Sequence, residues 1–143
     1  KYKGVKYVAC GRSKDGLDCL GLIFLAYSEV TAKSWHNLPT WPRVLIESGK
    51  LGSPVDELSG ITKDRINYKR LRKGDIIYFL VPFAVGSDLN SLVVINGVEY
   101  WPWTVGLYAG NRRCIYAKQG NKVVVEPMDK LLAPEEAIYV TRL

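Results

Sequence analysis

The chain has 143 residues, of which 48% are hydrophobic and 24% are charged, and its formal net charge is +6. These proportions are typical of a globular protein and exclude a disordered or strongly charged chain. The length favours a single domain over residues 1–143, and the longest apolar run, over residues 20–27, is too short for a membrane span.

The first half of the chain carries the helical signals. A helix is predicted from Asp18 to about Val30, because Asp18 is a good N-cap. Its residues are apolar nearly all round, which is typical of a buried helix. A second, short helix is predicted over residues 42–48, with Pro42 in its first turn and Gly49 at its end.

The second half of the chain indicates short strands rich in β-branched and aromatic residues. These strands are predicted over residues 75–81, 92–95, 98–101, 104–109, 113–118, 122–127 and 137–142. Asn96-Gly97 predicts a tight hairpin, and turns are expected at Gly110-Asn111 and Gly120-Asn121. The separation of helices from strands predicts an α+β fold, in which an antiparallel sheet packs on a buried N-terminal helix that carries Cys19.

The chain has three cysteines, Cys10, Cys19 and Cys114, and one histidine, His36. An odd number of cysteines argues against a complete disulfide framework, so at least one free thiol is expected. A structural zinc site needs about four Cys or His ligands. The sequence therefore predicts no metal site, and nothing in it indicates a cofactor.

Cys19 is predicted to lie in the first turn of the buried helix. The unpaired N–H groups and the positive end of the dipole favour an anion there, which lowers the pKa of a thiol. The following N–H groups can contribute to an oxyanion hole. Two interpretations stay open at this point, a nucleophile and a small buried apolar side chain.

The positive charge is densest at Lys69, Arg70, Arg72 and Lys73. A solvated surface accounts for this cluster, and attraction to an anionic polymer is the alternative. No recognisable module combines basic residues with aromatic ones, so the sequence argues against nucleic acid as a partner.

Four ordered blocks of sequence resemble one family. Residues 7–13 (YVACGRS) and 16–22 (GLDCLGL) form the first block, which is similar to the nucleophile region of the NlpC-type cell-wall cysteine peptidases. Residues 38–43 resemble the family's Leu-Pro-Arg segment, residues 71–79 its Gly-Asp strand and residues 105–110 its Val-Gly-Ile-Tyr strand. The resemblance covers nearly the whole chain, and GLDCLGL is also similar to the phage-tail branch of the family.

The resemblance implies a compact papain-like fold and a cysteine that cleaves amide bonds in peptidoglycan stem peptides. Cys19 matches the nucleophile, and Tyr7 matches the tyrosine that lines the site. Asp18 and Trp103 are further candidates for binding the substrate. The expected partner is a peptidoglycan peptide or another protein, and the expected location is the cell envelope or a virion.

Two positions depart from the family pattern. The family places its general-base histidine where this chain has Thr104, and a second polar residue, usually histidine, where it has Tyr116. A threonine hydroxyl is no base at neutral pH, and a tyrosine with a pKa of about 10 is a poor one. The open substitutes are His36 and a water held by Thr104 and Tyr116.

Two functions therefore stay open. The first is a cysteine hydrolase with an unusual base, which the retained Asp18-Cys19 pair favours. The second is an inactive family member that serves as a binding or structural module in a cell-wall or phage-tail assembly, which Thr104 and Tyr116 favour. The neighbouring aromatic residues Tyr100 and Trp101 are either core or, if exposed, a surface for a ligand or partner.

Overall fold

The structure is a computed structural model, and it describes the chain in ten segments. These are residues 12–13, 16–17, 19–31, 49, 52–62, 65–82, 93–95, 97–118, 122–132 and 136–142. At residues 12–13, 16–17, 19–20, 56–57, 59, 93 and 102–103 the description covers the backbone alone.

The described elements are nine strands and two α-helices, with a short 3-10 helix at Tyr68–Arg70. In chain order they are β1 (Arg12–Ser13), β2 (Gly16–Leu17), α1 (Cys19–Thr31), β3 (Ser53–Thr62), β4 (Ile76–Val81), β5 (Val93–Ile95), β6 (Val98–Gly110), β7 (Arg113–Ala117), β8 (Val123–Pro127), α2 (Met128–Leu131) and β9 (Ala137–Arg142).

One antiparallel sheet holds seven of the strands. Six of them lie in the order β3-β9-β4-β6-β7-β8, and β5 pairs with the first part of β6. The remaining strands, β1 and β2, pair with each other just ahead of α1. This arrangement confirms the predicted α+β class, with an antiparallel sheet and an N-terminal helix that begins at Cys19.

Strand β4 is central and carries the core on both of its faces. All six of its side chains are buried, which explains why its sequence is a continuous apolar run without alternation. On one face, Tyr78 packs with Ile23 and Phe24 of α1 and with Val105 of β6. On the other face, Phe79 belongs to a second cluster, which includes Tyr116 of β7.

Helix α1 is buried along only part of its length. Leu22, Ile23 and Phe24 are each at most 1% exposed, whereas Val30 is 73% exposed. The prediction of a helix buried all round is thus correct for the residues next to the sheet and wrong for the helix end. An apolar side chain does not by itself show that a packing partner lies beside it.

The strand bounds differ from the predictions at two places. Residues 98–101 and 104–109, predicted as two strands, form the single strand β6, whose register against β4 shifts between Phe79 and Leu80. That irregularity lets the strand continue past Pro102. Strand β3 was not predicted, since its sequence SPVDELSGIT contains proline, glycine and charged residues. Such a composition is tolerated at the edge of a sheet, where β3 lies.

The remaining strand predictions hold. The hairpin at Asn96-Gly97 is confirmed by the pairing of Ile95 with Val98, and the turn at Gly110-Asn111 by the pairing of Gly110 with Arg113. The predicted helix over 42–48 and the turn at Gly120-Asn121 lie outside the described residues.

Candidate functional site

Cys19 is the first residue of α1, so its backbone occupies the helix start that the sequence predicts for it. The helix is held against the sheet immediately afterwards, because Leu22 packs with Ala117 of β7 and Val123 of β8. The side chain of Cys19 lies outside the described residues, as do Tyr7, Asp18 and His36. Backbone N–H groups at such a helix start lack intrahelical partners and can stabilise an anion.

Thr104 lies in the middle of β6, directly opposite Phe79 of β4. It is only 6% exposed. Directly paired residues of an antiparallel sheet project from the same face, so Thr104 and Phe79 share one face of the sheet. This is the face of the second core cluster, which also contains Tyr116, and it is opposite the face on which Ile23 and Phe24 of α1 pack. The structure therefore brings Thr104 and Tyr116 onto one face but does not show them on the side of the sheet that contacts α1.

Tyr116 lies on the neighbouring strand β7 and is 4% exposed. Its hydroxyl donates a hydrogen bond of 2.8 Å to Oε2 of Glu126 on β8. The other oxygen of the same carboxylate, Oε1, accepts a hydrogen bond of 3.0 Å from Nζ of Lys118. Tyr116, Glu126 and Lys118 therefore form one polar chain at this end of the sheet.

The protonation states of Tyr116 and Glu126 follow from their surroundings. Burial raises the pKa of Tyr116, and the hydrogen bond to Glu126 and the charge of that carboxylate raise it further. The hydrogen bond from Tyr116 lowers the pKa of Glu126, as does Lys118. Tyr116 therefore keeps its proton at neutral pH and acts as a hydrogen-bond donor, which makes it an even weaker base than a free tyrosine.

Gly106 of β6 lies close to Cys114, Ile115 and Tyr116 of β7. A Cβ at residue 106 would clash with Sγ of Cys114 and would lie 2.7 Å from the carbonyl oxygen of Ile115 and 3.2 Å from Cβ of Tyr116. A side chain at residue 106 would therefore force the two strands apart, so a glycine is required here. Thr104 is the next residue along the same face of β6, about 7 Å from Gly106.

Cys114 is a free thiol in the core and does not serve as a nucleophile. It is fully buried, and Sγ contacts the carbonyl oxygen of Ile115 at 3.6 Å. Burial raises the pKa of its thiol, so almost no thiolate forms at neutral pH. This confirms the expectation of at least one free thiol.

The aromatic residues ahead of Thr104 are divided between core and boundary. Tyr100 is 6% exposed and packs in the α1 side of the core, whereas Trp101 is half-buried. The indole Nε1 of Trp101 is buried without a hydrogen-bond partner in the described part of the chain. The side chain of Trp103 lies outside the description.

Sequence reasoning missed Glu126 and Lys118, the partners of Tyr116. Glu126 is the only charged residue in strand β8, VVVEP. A lone carboxylate in an apolar strand is a recognisable signal for a buried polar contact. Its partner could not be deduced, because Glu126 pairs across the ladder with Cys114 and reaches Tyr116 diagonally.

No group of three or more Cys, His, Asp or Glu side chains that could hold a metal ion occurs within the described ranges. Nor is any helix found there long and apolar enough to cross a membrane.

Comparison with known proteins identifies the family. The model of the NlpC/P60 family matches residues 4–142. The structure is similar to the crystal structure of the NlpC/p60 domain of the peptidoglycan hydrolase SagA, with a TM-score of 0.56 and 19% identity, covering 99% of this chain and 90% of that one. No curated protein matches the chain.

A second similar structure is an NlpC/P60 family protein from Bacillus cereus ATCC 10987. Its TM-score is 0.55 at 19% identity, and the match covers 99% of this chain and 36% of that one. At such identities the similarity concerns the fold, and it confirms the expected papain-like, NlpC-type architecture. The similarity to the phage-tail branch stays a prediction.

Proposed function

Because the chain belongs to the NlpC/P60 family, we propose that it acts on or binds the stem peptides of peptidoglycan, with Cys19 as its nucleophile. The observation that carries this proposal is the position of Cys19 as the first residue of a helix whose next turn packs on the sheet. Tyr7, Asp18 and Trp103 are proposed to contact the peptide, and the cell envelope or a virion is the proposed location.

The proposed reaction is amide hydrolysis in two steps. The thiol of Cys19 gives up its proton, the thiolate attacks the amide carbonyl carbon, the C–N bond breaks, and the amine leaves with that proton. Water then attacks the thioester, which releases the carboxylic acid and restores the thiol. Backbone N–H groups at the start of α1 would stabilise the oxyanion of both steps.

The proton transfers are the weak point of this mechanism. An imidazole accepts and returns a proton at neutral pH, whereas the two matching positions carry Thr104 and Tyr116. We propose that they hold a water that relays the proton, with the oxygen of the Tyr116 hydroxyl accepting a hydrogen bond from that water. The hydroxyl proton of Tyr116 is held in the hydrogen bond to Glu126, and its raised pKa argues against a role as base.

The second candidate function is a binding module without turnover. The raised pKa of Tyr116 favours it, because a neutral phenol leaves the site with no titratable base at that position. In this case Cys19 would be a remnant of the family's nucleophile, and the protein would recognise a stem peptide or another protein.

A muropeptide assay decides between the two functions. The protein is incubated with purified muropeptides, and new amino groups are counted for the unmodified chain, for Cys19→Ala and for Cys114→Ala as the control. Turnover that disappears in Cys19→Ala and persists in Cys114→Ala supports the hydrolase. Binding of muropeptides without turnover supports the module, and neither binding nor turnover contradicts both.

Thiol labelling tests the proposed state of Cys19 directly. The rate of reaction with iodoacetamide is followed from pH 5 to pH 9 in the double variant Cys10→Ala/Cys114→Ala, in which Cys19 is the one remaining thiol. A helix-start thiolate reacts well below the ordinary cysteine pKa of about 8.5. A labelling rate that rises only around that pH would contradict an activated nucleophile.

A further inference from the structure

A second candidate site lies where β3 meets β9, at the edge of the sheet. An open cleft of about 620 Å³ is formed there. Its described lining includes the four cations Lys69, Arg70, Arg72 and Arg142 and no acidic residue. We call it the basic cleft. Strand β4 separates β9 from β6, which carries Thr104, and none of the proposed catalytic residues lines the basic cleft.

The backbone fixes three of the cations on one hydrogen-bonded turn. The side chain of Asn67 accepts a hydrogen bond of 3.1 Å from the N–H of Lys69 and so begins the 3-10 helix. Two residues after the helix ends, the N–H of Arg72 donates to Oδ2 of Asp75 at 2.9 Å. The turn therefore places three positive charges within four residues on a backbone that is held by hydrogen bonds.

The fourth cation, Arg142, is oriented by a buried carboxylate. Its Nε and Nη2 groups donate to the two oxygens of Asp75 at 2.8 Å each, and Nη2 also donates to the carbonyl oxygen of Arg70 at 2.9 Å. The Nη1 group has no partner among the described residues, while the side chain is 33% exposed. A fixed guanidinium with two unused N–H donors is well suited to bind an anion.

We propose that the basic cleft binds a ligand with two or more neighbouring phosphate groups, of the kind found in a phosphate-linked polymer. The oxygens of one phosphate can accept from Nη1 of Arg142 and from a neighbouring cation, and a chain of phosphates repeats this negative charge at short spacing. Asp75 offsets the charge of Arg142, and Lys69 and Arg72 add further positive charge to the lining, which favours a ligand with more than one negative charge. This inference does not depend on the activity of Cys19.

The lining also indicates what kind of phosphate chain would fit. Proteins that bind single-stranded nucleic acids stack the bases on aromatic side chains. The described lining of the basic cleft contains Ser53, Pro54 and Val55 beside the cations and no aromatic residue. The proposal is therefore a polymer without bases, and nucleic acid is an outcome of the test.

The test is titration calorimetry of the whole chain at about 0.15 M salt, where long-range attraction between exposed charges is largely screened. Tripolyphosphate is the probe, and oligothymidylate and an oligoglutamate peptide are the two competitors. The double variant Lys69→Gln/Arg72→Gln removes two cations of the cleft. Its matched control, Arg113→Gln/Lys122→Gln, removes two exposed charges from β7 and the segment before β8.

We expect tripolyphosphate to bind, and the cleft variant to bind it about tenfold more weakly or worse. The control should keep its affinity, and both variants should keep the urea midpoint of the unmodified chain. An equal loss in the control would show diffuse attraction and overturn the proposal. So would tighter binding of either competitor, or no binding of tripolyphosphate.

Discussion

Arg142 and Asp75 form a bidentate ion pair that joins the end of β9 to the residue before β4. Nε of Arg142 donates to Oδ1 of Asp75 and Nη2 donates to Oδ2, both at 2.8 Å. Asp75 is only 2% exposed, and this hydrogen bonding raises the pKa of Arg142 above its ordinary value. The backbone of the Gly-Asp motif is anchored as well, because Tyr108 N–H donates to the Asp75 carbonyl at 2.9 Å.

Removal of the Asp75 charge should destabilise the chain strongly. In Asp75→Asn the guanidinium of Arg142 loses its counter-charge, and the N–H of Arg72 is left with a weaker acceptor. The loss of charge-assisted hydrogen bonds to a buried carboxylate, with the remaining guanidinium partly solvated, costs about 2 kcal/mol in the free energy of unfolding, measured by urea denaturation. Arg113→Lys, at an exposed residue, is the control and should change it by less than about 0.5 kcal/mol. A loss for Asp75→Asn no larger than that would contradict a structural role.

Gly106→Ala should destabilise the pairing of β6 with β7. The new methyl group would overlap Sγ of Cys114 and approach the carbonyl oxygen of Ile115, and overpacking of this kind costs about 1–3 kcal/mol. The measurement is the urea midpoint at pH 7. Gly106→Ala should cost less stability when it is added to Cys114→Ala than when it is added to the unmodified chain. Part of the cost should remain, because the carbonyl oxygen of Ile115 is still close. Full additivity of the two changes would contradict the contact.

The Tyr116–Glu126 hydrogen bond predicts a contribution to acid stability. The pKa of Glu126 is lowered in the folded chain, so its stabilisation is present above the unfolded pKa of about 4.3 and is lost as the pH falls through the folded value. Glu126→Gln should cost about 1 kcal/mol at pH 7 and make the decline from pH 5 to pH 3 less steep. Parallel unfolding curves for variant and parent across this range would contradict the prediction.

The buried thiol of Cys114 predicts a loss of stability in alkali. Its pKa is raised by burial, so the stabilisation is complete below the unfolded pKa of about 8.5 and declines as the pH rises above it. Melting temperatures are measured from pH 7 to pH 10.5. Cys114→Ala should melt lower at pH 7 but lose less over this range, whereas an unchanged slope would show that other groups dominate. Tyr78, whose pKa burial also raises, adds its own loss above pH 10 in both proteins.

The proposed place of Thr104 in the site predicts a gain of function. If Thr104 occupies the position of the missing base, Thr104→His should increase Cys19-dependent muropeptide turnover by about a hundredfold, the typical contribution of a general base. The increase should follow the titration of an imidazole between pH 6 and pH 7.5. Ser59→His, on edge strand β3, is the control. A Thr104→His variant that folds but gains no turnover would contradict this position for the base.

The outline of the fold could be predicted from local patterns. The helix start at Cys19, the hairpin at residues 96–97 and five strand positions follow from capping, turn preference and apolar runs. Strand β3 could not, because its proline, glycine and charges give no strand signal. It forms a strand only because β9 provides a partner along its length.

The candidate site divides in the same way. The sequence alone determined that the first residue of the helix is a cysteine and that two family positions carry Thr104 and Tyr116 instead of histidine. The tertiary structure alone decided that Tyr116 donates a hydrogen bond to Glu126 and keeps its proton, since Glu126 reaches it from the next strand. It also decided that Arg142 meets Asp75, 67 residues away in the chain. Local sequence determines capping and periodicity, whereas partners across a sheet depend on a register that forms only when the whole sheet assembles.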